Sequence, residues 1–288
     1  MILLSLVACK PEGNRADAYG NFEAVDILVS SEVQGKIVRF DPVEGERISQ
    51  DQVVVLLDST QLFLKKKQLL TGLGSIGARL QTLDAQIGAQ QVQLNNLLRE
   101  SQRIENLFDR GAATSKQRDD IMGQVALLEA QIAATTSQKA SVESERGAIE
   151  VQIQQVEDQL SKCLVRNPSP GTILSKYREA GEVTAPGQSL YKLANLDELI
   201  LRVYVTGNQL SEVKLGEKVT VQYDSPEGVA RVNGKVAWIS SRAEFTPKVI
   251  QTREERVSLV YAVKIRVPND GTLKIGMPGE VLFTPISN

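Results

Sequence analysis

The chain reads as an elongated α+β protein: a long antiparallel coiled-coil α-hairpin inserted in a split β-domain and followed by an antiparallel β-barrel. Three observations predict this. Two heptad-patterned stretches of equal length flank a short glycine-bearing link, a segment ahead of the first stretch recurs behind the second, and the C-terminal third alternates with period two between turn signals.

Composition narrows the chemistry before any motif is placed. The 288 residues carry 33 basic and 35 acidic side chains, a formal net charge of -2, no histidine and two cysteines. Without imidazole there is no serine-histidine-aspartate triad, no histidine base and no histidine-ligated metal. Cys9 and Cys163 stand too far apart to form a disulfide framework or a four-thiolate site. A near-neutral charge argues against nucleic acid, whose partners need a basic face. Acidic pairs such as Asp119-Asp120 and Glu254-Glu255 are sequence neighbours and read as solvated residues without a catalytic partner. No enzyme activity, cofactor or metal is therefore expected.

Residues 1–8, MILLSLVA, form an apolar run shorter than the roughly 20 residues a membrane span needs. The run leads into Leu6-Val7-Ala8-Cys9, which resembles a bacterial lipobox. On that reading Cys9 carries a lipid and residues 10–19, with Pro, Gly, Asn and alternating charges, form a solvated tether. The alternative is an ordinary apolar start with a free cysteine. No later stretch reads as a membrane span.

The first heptad run holds Leu62, Lys66, Leu69, Leu73, Ile76, Leu80, Leu83, Ile87, Gln90, Leu94, Leu97, Ser101, Ile104 and Phe108. The second holds Ile121, Val125, Leu128, Ile132, Thr135, Lys139, Val142, Arg146, Ile149, Ile153, Val156, Leu160 and Cys163. Each predicts a helical arm of about 50 residues, roughly 75 Å at 1.5 Å per residue. Only residues 109–114, with Gly111 among them, separate the arms, so they fold back on each other. Gly72, Gly74, Gly77 and Gly88 weaken the first arm and read as points of close approach or bending. Cys163, last in the series, reads as a small core residue.

The repeat has one register. Residues 33–57, VQGKIVRFDPVEGERISQDQVVVLL, match 169–193, SPGTILSKYREAGEVTAPGQSLYKL, at a constant offset of 136. Gly35 falls on Gly171, Ile37 on Ile173, Gly45 on Gly181, Glu46 on Glu182, Gln52 on Gln188 and Leu57 on Leu193. Each copy reads as short strands around G-x-I, a glycine turn and a closing apolar strand, too little to bury a face alone. The two halves must therefore pair.

Two G-x-I, G-E, Q-x-L half-motifs around a coiled-coil hairpin resemble the biotinyl/lipoyl-like domain of the periplasmic adaptors, the membrane-fusion proteins of the HlyD family. In biotinyl and lipoyl carriers a modified lysine sits at the turn between the halves. Here Lys65, Lys66 and Lys67 lie inside the first helix without that motif, so covalent cofactor attachment is not expected. The resemblance implies four parts: a signal/lipobox remnant and tether at 1–19, a biotinyl/lipoyl-like domain at 20–58 and 165–197, an α-helical hairpin at 59–164, and a β-barrel at 198–288. Gly35, Gly45, Gly171 and Gly181 are the half-motif turns.

The resemblance also bears on the hairpin tip, RIENLFDRGAATSKQRDD, residues 103–120. Adaptors contact an outer-membrane channel there through a spaced arginine, leucine and serine. Arg103, Leu107 and Thr114 match that spacing, Asp119 is the trailing acid, and Ser115 offers a second hydroxyl. A cation, an apolar knob and a hydroxyl on one rounded end suit a groove between helices. The competing assignment makes Arg103 a solvated residue, Leu107 a helix staple and Thr114 an N-cap.

Period-two runs at 199–205, 218–223, 235–239 and 259–267, separated by turns at 224–228 and 268–271, predict the barrel. The stretch 244–267 is similar to adaptors that serve ABC-type exporters. Taken together, the resemblance implies a non-enzymatic periplasmic adaptor, anchored to the inner membrane by an N-terminal lipid. It would join an inner-membrane transporter, ABC-type rather than proton-driven, to a TolC-like outer-membrane channel. Side-by-side packing would make it a homo-oligomer, by family precedent a hexamer. The alternative is a structural envelope lipoprotein, a spacer with no transport role.

Overall fold

The computed structural model describes residues 16–245 and 259–283; Cys9, residues 10–15 of the expected tether and residues 246–258 lie outside the described residues. The first strand, β1 (Ala18–Glu23), crosses to the C-terminal barrel. The split β-domain follows, with β2 (Asp26–Ser30), β3 (Gly35–Phe40), β4 (Arg47–Ile48) and β5 (Val53–Leu57) ahead of the hairpin. Behind the hairpin come β6 (Leu164–Arg166), β7 (Gly171–Lys176), β8 (Val183–Thr184) and β9 (Ser189–Ala194). One four-stranded sheet runs β2-β9-β7-β4 and the other β6-β5-β3-β8. Each half thus gives two strands to each sheet, and moving every strand on by one half-repeat turns one sheet order into the other.

The main-chain bonds repeat with the sequence. Ile37 N–H donates to Glu182 O and Gly181 N–H to Ile37 O, both at 2.8 Å. Their counterparts, Ile173 N–H to Glu46 O and Gly45 N–H to Ile173 O, are 2.9 Å. Neither half closes its own turn; each closes the other's. Ile37, Val55, Leu57, Ile173, Leu190, Tyr191 and Leu193 meet between the sheets, all 1% exposed or less. Burial on this scale contributes about 1.5–3 kcal/mol for each large apolar side chain.

Helices α1 (Thr60–Asp109) and α2 (Ser115–Lys162) form the hairpin. At about 1.5 Å per residue the longer arm extends roughly 75 Å. Every predicted seam position of α1 is buried or half-buried, and so is every one from Ile121 to Cys163 except Arg146. Arg146 points outward to Glu150 at 3.4 Å, because an unpaired guanidinium is costly to bury. Ion pairs across the seam, Lys66–Glu157 at 2.7 Å, Arg79–Glu145 at 3.0 Å and Lys139–Asp84 at 2.6 Å, hold the antiparallel register. Being largely solvated, they set the register more than they add stability. The helical glycines are not points of close approach. A Cβ would find open space at Gly74, Gly77 and Gly88, and at Gly72 only an ordinary contact with Ile149.

The root of the hairpin is built from the split domain. Asp58 accepts from the Thr60 amide at 2.9 Å and the Thr60 hydroxyl at 2.6 Å, which starts α1. Cys163 caps α2 and is 1% exposed within the β-domain core, and this burial pushes its thiol pKa up. From Leu164 the chain is already strand.

The barrel contains β10 (Glu198–Thr206), the short α3 (Gly207–Leu210), β11 (Lys218–Ser225), β12 (Gly228–Ile239), β13 (Glu244–Phe245), β14 (Leu259–Pro268) and β15 (Pro278–Leu282). Six strands close a ring in the order β10-β1-β15-β11-β12-β14, with β14 returning to β10 and β13 added beside β14. Its core is the alternate residues of the long strands: Leu199, Leu201, Val203 and Val205 of β10, and Val263, Ile265 and Val267 of β14, all 0% exposed. Residues 20–23, assigned from sequence to the split domain, instead pair with β10 and β15 as part of β1. Phe22 explains this, being 0% exposed in the barrel core, and Gly20 lies so close to the Arg202 carbonyl that no side chain fits. Arg47 spans the junction of the two β-domains with a bidentate pair to Asp197, at 2.9 and 2.7 Å.

Candidate docking site at the hairpin tip

The chain reverses between the two helices in five residues, 110–114. At the end of α1, Gly111 N–H donates to Phe108 O and Ala112 N–H to Leu107 O, both at 2.8 Å, with Gly111 at φ 74°. This is a complete Schellman closure, and its left-handed position is where glycine costs least. The start of α2 is equally well closed. Thr114 Oγ1 accepts from the Gln117 amide at 3.2 Å, while Gln117 Oε1 accepts from the Thr114 amide at 2.8 Å. That is a reciprocal capping box. The tip is therefore a turn whose end groups are satisfied on both sides.

On this frame Arg103 and Leu107 stand one helical turn apart on α1, outside the seam residues Ile104 and Phe108. Arg103 is exposed and pairs with Glu100 at 2.8 Å; Leu107 is 38% exposed, an apolar side chain left in water at the end of the molecule. Thr114 and Ser115 are both exposed, although the Thr114 hydroxyl is already engaged with Gln117. Between residues 103 and 120 four cations face four carboxylates, so shape and directed bonds rather than net charge would govern a partner's fit. The Arg118 guanidinium stacks 4.5 Å from the Phe108 ring centre and reaches Asp119 at 3.3 Å, which fixes the last seam layer.

The structure thus gathers Arg103, Leu107, Thr114 and Ser115 at one end of the hairpin. The four glycines sit at the other end. Gly45 and Gly181 adopt φ of 86° and 96° in equivalent turns; a Cβ on Gly35 would press on Leu57 at 3.3 Å, and one on Gly171 on the Ala194 carbonyl at 2.7 Å. Cys9 lies outside the described residues. Gln117 and Arg118 lie outside the set that the sequence points to, although T-x-x-Q at a helix start is a readable capping signal. Nothing in the sequence signals the Arg118–Phe108 stack, which joins two helices.

Among the described residues, no helix is long and apolar enough to cross a membrane, and no three His, Cys, Asp or Glu side chains converge as a metal site.

No protein-family model matches the chain. A UPF0194 membrane protein of Yersinia enterocolitica is 25% identical over 292 residues, covering 92% of this chain and 88% of that one. A UPF0194 membrane protein of Acidithiobacillus ferridurans is 36% identical over 115 residues, 40% of this chain and 34% of that one, so the match spans about a third of that relative. Among solved structures, MacA from Actinobacillus actinomycetemcomitans superposes with a TM-score of 0.62 at 20% identity, covering 94% of this chain and 79% of that one. The membrane fusion protein Spr0693 from Streptococcus pneumoniae gives 0.54 at 15% identity, with 93% and 98% covered. The periplasmic adaptor protein EmrA gives 0.52 at 17% identity, also with 93% and 98% covered. With its hairpin rooted in a two-sheet domain beside a six-stranded barrel, this chain has the fold of the membrane fusion, or periplasmic adaptor, proteins.

Proposed function

We propose that the chain is the adaptor subunit of a tripartite efflux or secretion system, joining an inner-membrane transporter to an outer-membrane channel across the periplasm. The hairpin carries this reading. Two arms of 50 and 48 residues bury one narrow seam and leave most of their surface in water, which is a poor way to make a core and a good way to span distance. The β-domains would sit on the transporter, and the closed tip would present Arg103, Leu107 and the hydroxyls of Thr114 and Ser115 to a TolC-like channel. Several copies side by side would form the conduit, since one hairpin encloses nothing. An ABC-type transporter, a hexamer and a lipid on Cys9 belong to the same proposal.

The test is at the tip. A photo-crosslinker in place of Thr114 should capture an outer-membrane channel during active export, and Arg103→Glu with Leu107→Glu should abolish export while leaving the protein folded. Undiminished export by that double variant would favour the alternative, a structural spacer in the envelope.

A further inference from the structure

The outer face of the barrel holds an unassigned cleft. Cross-strand pairing sets Tyr204 of β10 opposite Tyr19 of β1, Tyr19 opposite Glu280 of β15, and Glu280 opposite Gln222 of β11. Directly opposed residues of antiparallel strands share a face. Here it is the outer one, because Val203, Val205, Val221 and Val281 alternate with them and are all 0% exposed in the core. The row lines a cleft of about 570 Å³, completed by Tyr223 and Asp224. That volume lies in the range of small-molecule sites.

The lining states what would fit. Two phenol side chains of the outer face, Tyr19 and Tyr204, line it, and the electron-rich face of a phenol ring attracts a cation. Glu280 and Asp224 add two carboxylates, and neither forms an ion pair among the described residues. Among the described residues, no lysine or arginine lines the cleft. Arg202, whose guanidinium lies 5.7 Å from the Tyr204 ring centre, is held by Glu244 at 3.1 Å. Arg231, opposite Gln222 in the register, lines a neighbouring cavity instead. Gln222, only 6% exposed, also lines the cleft.

We propose that this cleft binds a small organic cation, an ammonium or guanidinium group on an aromatic or alkyl body. Tyr19 and Tyr204 flank the charge, the two carboxylates neutralise it, and the Gln222 amide oxygen accepts an N–H where the ligand has one. A zwitterion with a phosphate beside its ammonium is disfavoured by the same carboxylates.

Calorimetric titration of the full chain with 4-phenylbutyl-trimethylammonium, its neutral tert-butyl isostere and phosphocholine tests this. The cation should bind at least about tenfold more tightly than either comparator, and Asp224→Asn with Glu280→Gln should weaken it about tenfold, a loss of roughly 1.4 kcal/mol. Tyr19→Ala, at a position 57% exposed and so harmless to the barrel, should weaken it as well. Equal affinity for the neutral isostere or for phosphocholine, unchanged affinity in the carboxamide variant, or no binding of the cation at millimolar concentration would each overturn the proposal.

Discussion

The two halves of the split β-domain follow one backbone path with different side chains, and the differences show what the path requires. At the turn before the closing strand the first half has Asp51 at φ 61°, whereas the second has Gly187 at φ 81°. Both amides make the same bond across the interface, Asp51 N–H to Asn167 O and Gly187 N–H to Ser31 O, each at 2.8 Å. Where the first half buries Ile48, the second buries Thr184, whose hydroxyl has no partner among the described residues. Where the first closes with Ser31, the second has Asn167, fully buried and bonded to the Tyr191 hydroxyl at 3.1 Å. Main-chain pairing between the halves is common to both, while the side chains that fill the space have diverged. The conserved geometry therefore resides in the backbone hydrogen bonds and the turn conformations they impose.

The largest effect should come from the polar element present on one side only. Asn167 also donates to the Ser49 carbonyl at 2.9 Å, so Asn167→Ala leaves that oxygen and the Tyr191 hydroxyl unpaired. A loss of about 2–4 kcal/mol is expected in chemical denaturation, against about 1 kcal/mol for Ser31→Ala. Equal losses would mean that the network does not distinguish the halves.

Next come the left-handed turns. Gly187→Ala should cost about 1–2 kcal/mol, while Asp51→Gly, which relieves the same conformation, should be stabilising by a few tenths to about 1 kcal/mol. If both substitutions shift the midpoint in the same direction, the turns are not equivalent. Smaller still, Thr184→Val removes an unpaired buried hydroxyl at nearly constant volume, bringing the second half closer to the first. It should raise stability by up to about 1 kcal/mol, and a fall would reveal a partner for that hydroxyl.

The smallest effect concerns the place where the halves part. Asp58 leaves β5 and begins α1, whereas its counterpart Ala194 is still in β9. Hydrogen bonds from the Thr60 hydroxyl and amide hold the Asp58 pKa below its ordinary value of 3.8. Because the folded pKa is depressed, this stabilisation is fully present above the unfolded pKa and is lost as pH falls through the folded one. Hydrogen-exchange protection factors in the first turn of α1, corrected for the intrinsic pH dependence of exchange, should therefore fall at acid pH in the native protein but show no such fall in Asp58→Asn. A variant that retains the acid-dependent opening would assign it to another group.

Much of the molecule is legible without coordinates because its signals are local or repeated. The three-four spacing predicts the seam from Leu62 to Cys163 and errs at Arg146, where a charge occupies an apolar register position. The offset of 136 residues aligns the strands of the two halves because the turns need glycine at the same two steps. Arg103, Leu107 and Thr114 are placed together by arm length alone. The destination of residues 20–23 is not legible: their partners, β10 and β15, lie far along the chain, and a strand of six residues carries no mark of which sheet it joins.

Periodicity and repetition sufficed to specify a hairpin of two arms of nearly equal length and a domain in two parts, since each depends on contacts whose spacing is written along the chain. Tertiary structure alone decided that each half closes the other's turns, that β1 completes the barrel, and that Tyr204, Tyr19, Glu280 and Gln222 form one row. These arrangements depend on which strand edges meet in space, and strand alternation constrains the face a residue takes but not the neighbour it meets there.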